Sequence, residues 1–108
     1  MKIKLTNETN YLDDGTYTAI IQNVFEFAKG DNTSVAIEFA LNDAEHTVFT
    51  KFYDDPVKRL GSYPWNTVFK ALNSDDTDDL IGRKVEFEIK NNTKNDLTYT
   101  NIKKIKLI

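Results

Sequence analysis

The hydrophobic period of this chain changes twice, from two to nearly four and back again. Between Thr16 and Tyr53 apolar residues alternate with polar ones, after Pro64 the residues Trp65, Val68, Phe69 and Leu72 recur at steps of three and four, and from Lys84 the alternation resumes. Alternation marks a strand with one face on a core, because successive side chains point to opposite sides, whereas steps of three and four mark one face of a helix. The chain is therefore constrained to strands, one helix, and strands again.

The first stretch, "TYTAIIQNVFEF", is rich in β-branched and aromatic residues and follows the turn signal "LDDG". Its parity slips: Ile20 and Val24 share one side while Tyr17, Ile21, Phe25 and Phe27 share the other, which predicts a bulge or strong coiling near Gln22. "AKGDNTS" supplies Gly30, Asp31 and Asn32 for a turn, and "VAIEFAL" then sets Val35, Ile37, Phe39 and Leu41 inward. "NDAE" at 42–45 reads as a short hairpin loop into a third strand, "TVFTKFY". Pro64 suits the first turn of the helix, where its missing N–H is no loss, and Trp65 lies on the apolar stripe as a core residue. In "NSDDTDDLIG", Ser74 or Thr77 caps a single helical turn whose early aspartates suit the helix dipole and which Gly82 ends. "KVEFEIK" sets Val85, Phe87 and Ile89 on one face and its charges on the other, with "NNTKND" as the turn that follows. The last strand, "LTYTNIKKIKLI", changes parity between Tyr99 and the pair Ile102 and Ile105, which predicts a second bulge.

Three meandering strands, a helix and a two-strand hairpin are the element order of the OB-fold, a small barrel whose helix fills the gap between strands three and four. Barrels of other topology, and an open sheet with one packed helix, share that order. The expectation is a mainly β, five-stranded OB-fold-like barrel, one domain over residues 1–108, with residues 1–11 as a flexible or edge-pairing arm. The run "DDLIGRKVEFEIKNNTKNDLTYTNIKKIKLI" resembles the carboxy-terminal hairpin of small phage-encoded proteins of Gram-positive hosts, grouped as single-stranded-DNA-binding or replication-associated proteins with an OB-like fold. "GTYTAIIQNV" and "VAIEFAL" resemble their first two strands, so the likeness spans about residues 12–107. It implies single-stranded DNA as ligand and phage or host replication proteins as partners, and it includes no catalytic signature.

Composition narrows the chemistry. With 108 residues, 40% of them hydrophobic, the chain has material for one modest core. It has no cysteine, which excludes disulfides, a thiolate nucleophile and cysteine-ligated zinc. No apolar run approaches the roughly 18 residues that span a bilayer, and "MKIKLTNETNYLDDG" lacks a secretory apolar stretch, so the expectation is a cytoplasmic protein without a membrane partner. His46, the sole histidine, stands beside Glu45 with neither a nucleophile nor a third orienting group. Asp75, Asp76, Asp78 and Asp79 do not match the spaced ligands and glycine of a calcium loop, and no glycine-rich phosphate loop occurs. The expected protein is not an enzyme and uses no cofactor or metal.

Net charge is −3 but divides unevenly: residues 1–81 carry 7 Lys or Arg against 14 Asp or Glu, and residues 82–108 carry 7 against 3. Lys90, Lys94, Lys103, Lys104 and Lys106 make the end of the chain either a basic surface or an ordinary solvated hairpin. In "TVFTKFY", if Val48 and Phe52 face the core, then Phe49, Lys51 and Tyr53 stand outside about 7 Å apart, a spacing that suits successive bases. Rings stack on bases and lysine meets phosphate. Phe27 and Lys29 before the first turn, and Lys90, Lys94 and Tyr99 on the last hairpin, join the same rim, where OB-folds bind their ligands. The competing expectation is structural: Phe49 and Tyr53 form a second apolar cluster beneath the helix or the arm, and Phe27 and Tyr99 likewise serve the fold. Two functions follow. One is a single-stranded-DNA-binding accessory protein of phage or mobile-element replication or recombination. The other is a protein-interaction module whose free edge or Phe49 and Tyr53 face docks a partner or a second copy, the acidic 75–79 loop selecting a basic surface.

Overall fold

The computed structural model describes residues 8–9, 11–41 and 48–108. In chain order the elements are β1 (Glu8–Thr9), β2 (Gly15–Lys29), β3 (Asn32–Leu41), β4 (Val48–Asp54), α1 (Pro56–Leu60), α2 (Trp65–Leu72), a 3-10 turn (Thr77–Leu80), β5 (Lys84–Lys94) and β6 (Leu97–Leu107). They form one mainly β sheet in the order β1-β4-β3-β2-β5-β6. The five long strands pair antiparallel, and β1 joins the edge of β4 in parallel, Glu8 opposite Val48 and Thr9 opposite Phe49. Among the described residues no backbone ladder joins β4 to β6, so the sheet is not closed by backbone hydrogen bonds.

Both slips of hydrophobic parity mark real bulges. Ile21 pairs with Phe39 and Asn23 with Glu38, so Gln22 is the extra residue of β2. Glu88 pairs with Lys104 and Ile89 with Ile102, so Lys103 is the extra residue of β6. A bulge bends and coils its strand while shifting which parity faces the core. In β2 the inward set passes from Ala19 and Ile21 to Val24, and in β6 both Ile102 and Ile105 are buried. The last hairpin is tighter than "NNTKND" suggests. Its strands run on to Lys94 and restart at Leu97, leaving Asn95 and Asp96 alone in the turn, both with positive φ (53° and 63°) as a type I′ connection requires.

The core is built on rings. Phe39 lies 5.7 Å from Phe49 and 4.9 Å from Phe87, ring centre to ring centre, and Trp65 packs 6.2 Å from Phe39. Trp65 and Val68 bring the apolar stripe of α2 onto this cluster, and the buried indole N–H donates to the Tyr53 hydroxyl at 2.8 Å. A second short helix, α1, precedes the expected one. Pro56 takes its first turn, where no N–H is needed, and Leu60 is its buried residue. The cap of the 3-10 turn is neither Ser74 nor Thr77 but Asp76, whose Oδ1 accepts from the Asp78 N–H at 2.9 Å. The 42–45 loop, with Glu45 and His46, lies outside the described residues.

Candidate nucleic-acid interface

The structure exchanges the two expected faces of β4. Phe49 (0% exposed) and Tyr53 (5%) belong to the core, while Phe52 is 53% exposed. The reason is register: β3 turns Val35, Ile37 and Phe39 inward, and these pair with Tyr53, Lys51 and Phe49. Residues directly opposite each other share a face. Phe49, Lys51 and Tyr53 therefore form no outward row, and neither ring is available to stack on a base.

Lys51 sits between two inward aromatics because it bridges the strands that no backbone ladder joins. Its Nζ donates to the Thr100 carbonyl of β6 at 2.8 Å and lies 5.4 Å from the centre of the Tyr53 ring. The Arg59 guanidinium stands over that ring at the same distance. Burial lowers the Lys51 pKa from its ordinary value, and the neighbouring Arg59 charge lowers it further. Burial likewise pushes the Tyr53 phenol up to about 12. Lys51 is thus a structural tie rather than a surface phosphate contact.

Other rings take the outward positions of the same strands. Phe25, Ala36 and Phe52 stand directly opposite one another across β2, β3 and β4, and one step along, Phe27, Ser34 and Asp54 form the next row. Phe25 is 47% exposed and Phe27 40%, and the Phe27 and Phe52 rings meet edge to face at 6.5 Å. Ala36 lies buried between Phe25 and Phe52, so two rings borne on strands about 10 Å apart, two strand spacings, flank a low floor. The expected site residue Phe27 belongs to this face. Lys29 ends β2 opposite Asn32, and its side chain lies outside the described residues.

The last hairpin approaches this face across the seam. The contact of Lys51 with Thr100 brings the outward neighbours of Lys51, Thr50 and Phe52, to one side of the seam and those of Thr100, Tyr99 and Asn101, to the other. Tyr99 is 51% exposed, and Lys90 and Lys94 are exposed on the same outward parity of β5. Lys90 is 3.6 Å from the Asp14 carboxylate. Asn91, between them, ties the hairpin to the chain before β2. Its side-chain amide donates to the Leu12 carbonyl and to Asp14 Oδ1, its backbone N–H donates to the same Oδ1 at 2.7 Å, and its Oδ1 accepts from the Thr100 hydroxyl. The backbone N–H of Asn91, then its side-chain amide, hold the Asp14 carboxyl below its ordinary pKa.

The face is not basic. Glu38 and Asp54 lie on it, Asp54 Oδ1 accepting from the Ser34 hydroxyl at 2.7 Å, and among its described side chains there is no Lys or Arg. The reading of "TVFTKFY" overlooked Phe25 and Phe52. The signal for Phe25 was the bulge itself, since absorbing one residue at Gln22 takes Phe25 and Phe27 off the face of Ile21. Among the described residues no three His, Asp or Glu side chains gather where a metal could be held, and no helix is long and apolar enough to cross a membrane. No protein-family model matches the chain, and no curated protein matches it.

Proposed function

We propose that the chain binds single-stranded nucleic acid, DNA in the first instance, on the outer face of β2, β3 and β4, as an accessory protein of phage or mobile-element replication or recombination. The observation that carries the reading is the outward row of Phe25 and Phe52 on either side of Ala36, with Phe27 beside it. Soluble domains rarely leave three phenyl rings together in water, and stacked bases are the ligands that use such rings without sequence preference. Strand order supports the same reading. The run β4-β3-β2-β5-β6 is that of an OB-fold opened between β4 and β6. In that seam Lys51 reaches Thr100, and the Thr67 hydroxyl reaches the Ile105 carbonyl at 3.2 Å. These side-chain ties favour an OB-like barrel zipped by lysine and helix, whose ligand face is the one that carries the rings.

Titration of labelled oligo-dT and of duplex DNA at two salt concentrations tests this. Oligo-dT binds more tightly than duplex, and with Lys90 and Lys94 as the lysines among the described side chains in place to neutralise phosphates, log affinity falls against log salt with a slope of about −1.4. Failure to bind either nucleic acid at micromolar protein removes the reading. The presence of Glu38 and Asp54 beside the rings favours, in that event, the second reading: a protein partner docking on the same face.

A further inference from the structure

Glu26 points away from the β2 face that carries Phe25 and Phe27, and it borders a broad, open groove with a volume of about 1090 Å³ between the sheet and the two helices. Leu60 of α1 and Phe69 of α2 line its apolar part. Val57 stands at its side with 87% of its surface exposed, the most exposed of the large apolar residues among those described. Asp75 and Asp76 line it as well, so the charged residues of the lining are three carboxylates, those of Glu26, Asp75 and Asp76, and one ammonium, that of Lys70.

A lone exposed valine is ordinary. Here it is continuous with a half-buried phenylalanine and a buried leucine in one open concavity, which is somewhat larger than the usual small-molecule site. A partner's side chains fill so large and open a site better than one small molecule does. Charge selects the occupant: an acidic rim repels nucleic acid and attracts lysine and arginine, while the apolar lining needs leucine-like side chains. A helix with apolar residues at steps of three and four between basic ones supplies both.

We infer that this groove docks a basic amphipathic helix of a partner protein, on the side of β2 away from the phenyl rings. The two surfaces would then let one small domain hold a nucleic-acid strand and a protein at once. The groove stands independently of the nucleic-acid reading, since its residues and those of the ring face are separate.

The test uses the full chain and a labelled amphipathic helical peptide of leucine and lysine, with a leucine and glutamate peptide of the same pattern as control, followed by fluorescence anisotropy. The lysine peptide binds at micromolar concentration and the glutamate peptide does not. Val57→Asp, and separately Glu26→Lys with Asp75→Lys, each weaken binding at least about tenfold with the melting temperature little changed, all three side chains being exposed. Phe25→Ala with Phe52→Ala leaves peptide affinity as it was. The inference is overturned if the lysine peptide fails to bind, if both peptides bind alike, if the groove variants bind as the wild type does, or if the ring variant abolishes binding.

Discussion

Replacing Phe49 and Phe52 separately by alanine sets the two faces of β4 against each other. Phe49 has no exposed surface and stacks on Phe39 at 5.7 Å and on Phe87 at 6.0 Å. Its truncation costs about 3 to 5 kcal/mol, transfer and cavity together, out of a total stability of about 5 to 15 for a domain of this kind. With a urea m-value near ~1.5 kcal/mol per molar, the unfolding midpoint falls by about 2 to 3 M. Phe52 keeps 53% of its surface in water, so alanine there forfeits about half the worth of a buried ring, ~1 kcal/mol, and moves the midpoint by less than about 1 M. Binding responds in the opposite order. Phe52→Ala weakens oligo-dT by about 1 to 3 kcal/mol, the worth of one stacked base, while Phe49→Ala at a temperature where it is still folded retains wild-type affinity. Urea titration followed by tryptophan fluorescence, beside oligo-dT anisotropy, reads both. Equal midpoint shifts, or a larger one for Phe52→Ala, would refute the placement of these rings.

Lys51→Met removes a charge that faces the seam rather than solvent, so the salt slope of oligo-dT binding stays as in wild type, whereas Lys94→Ala makes it shallower by about 0.7; a shallower slope for the Lys51 variant would count against its role as a tie. Asn91→Ala deletes three side-chain hydrogen bonds to Leu12, Asp14 and Thr100 and costs about 1 to 3 kcal/mol, with faster amide exchange near the start of β2; a neutral variant would mean those bonds contribute nothing. Tyr53, about 12 folded against about 10 unfolded, keeps a proton that the unfolded chain releases, so its stabilisation is complete below pH 10 and is lost, by about 2 to 3 kcal/mol in all, as pH rises through 12. Tyr53→Phe flattens that part of the profile when urea midpoints of variant and wild type are compared at each pH, and an unchanged alkaline loss would exclude Tyr53 as its source. The comparison at each pH also removes two other contributions: Tyr11, raised by its hydrogen bond to Asp13, acts in the same sense, and Lys51, lowered by burial, acts in the opposite one.

Period and parity carried most of the architecture. The strands, α2 with Trp65 in the core, and both bulges follow from where apolar residues fall, because burial is what those patterns record. The faces of β4 did not follow, since the strand has large apolar residues on both parities and only pairing with β3 decides between them. A four-residue loop at 42–45 sets Leu41 opposite His46 and hence Val48 and Phe52 opposite Phe39 and Val35. The observed pairs are Phe39 with Phe49 and Val35 with Tyr53, one residue away. A slip of one residue inverts a strand, and loop length is what a single sequence specifies least. Helix α1 was missed because five residues are too few to display a period. Asn91 reads as a turn residue in isolation, and its bonds to Leu12 and Asp14 depend on a separation of 77 to 79 residues that no local pattern reports.

The bulge at Gln22 also bears on how a chain like this one can vary between descendants. Most codon deletions inside a paired strand exchange inside for outside from that point on and are lost with the fold. Removal of Gln22 is different: Ile21 inward would be followed by Asn23 outward, Val24 inward and Phe25 outward, a strict alternation that keeps every ring where it is. One insertion at the same point would again restore the present strand. Length is therefore negotiable at Gln22 where sequence is not, and an ancestral β2 one residue shorter would have displayed the same face with less coil.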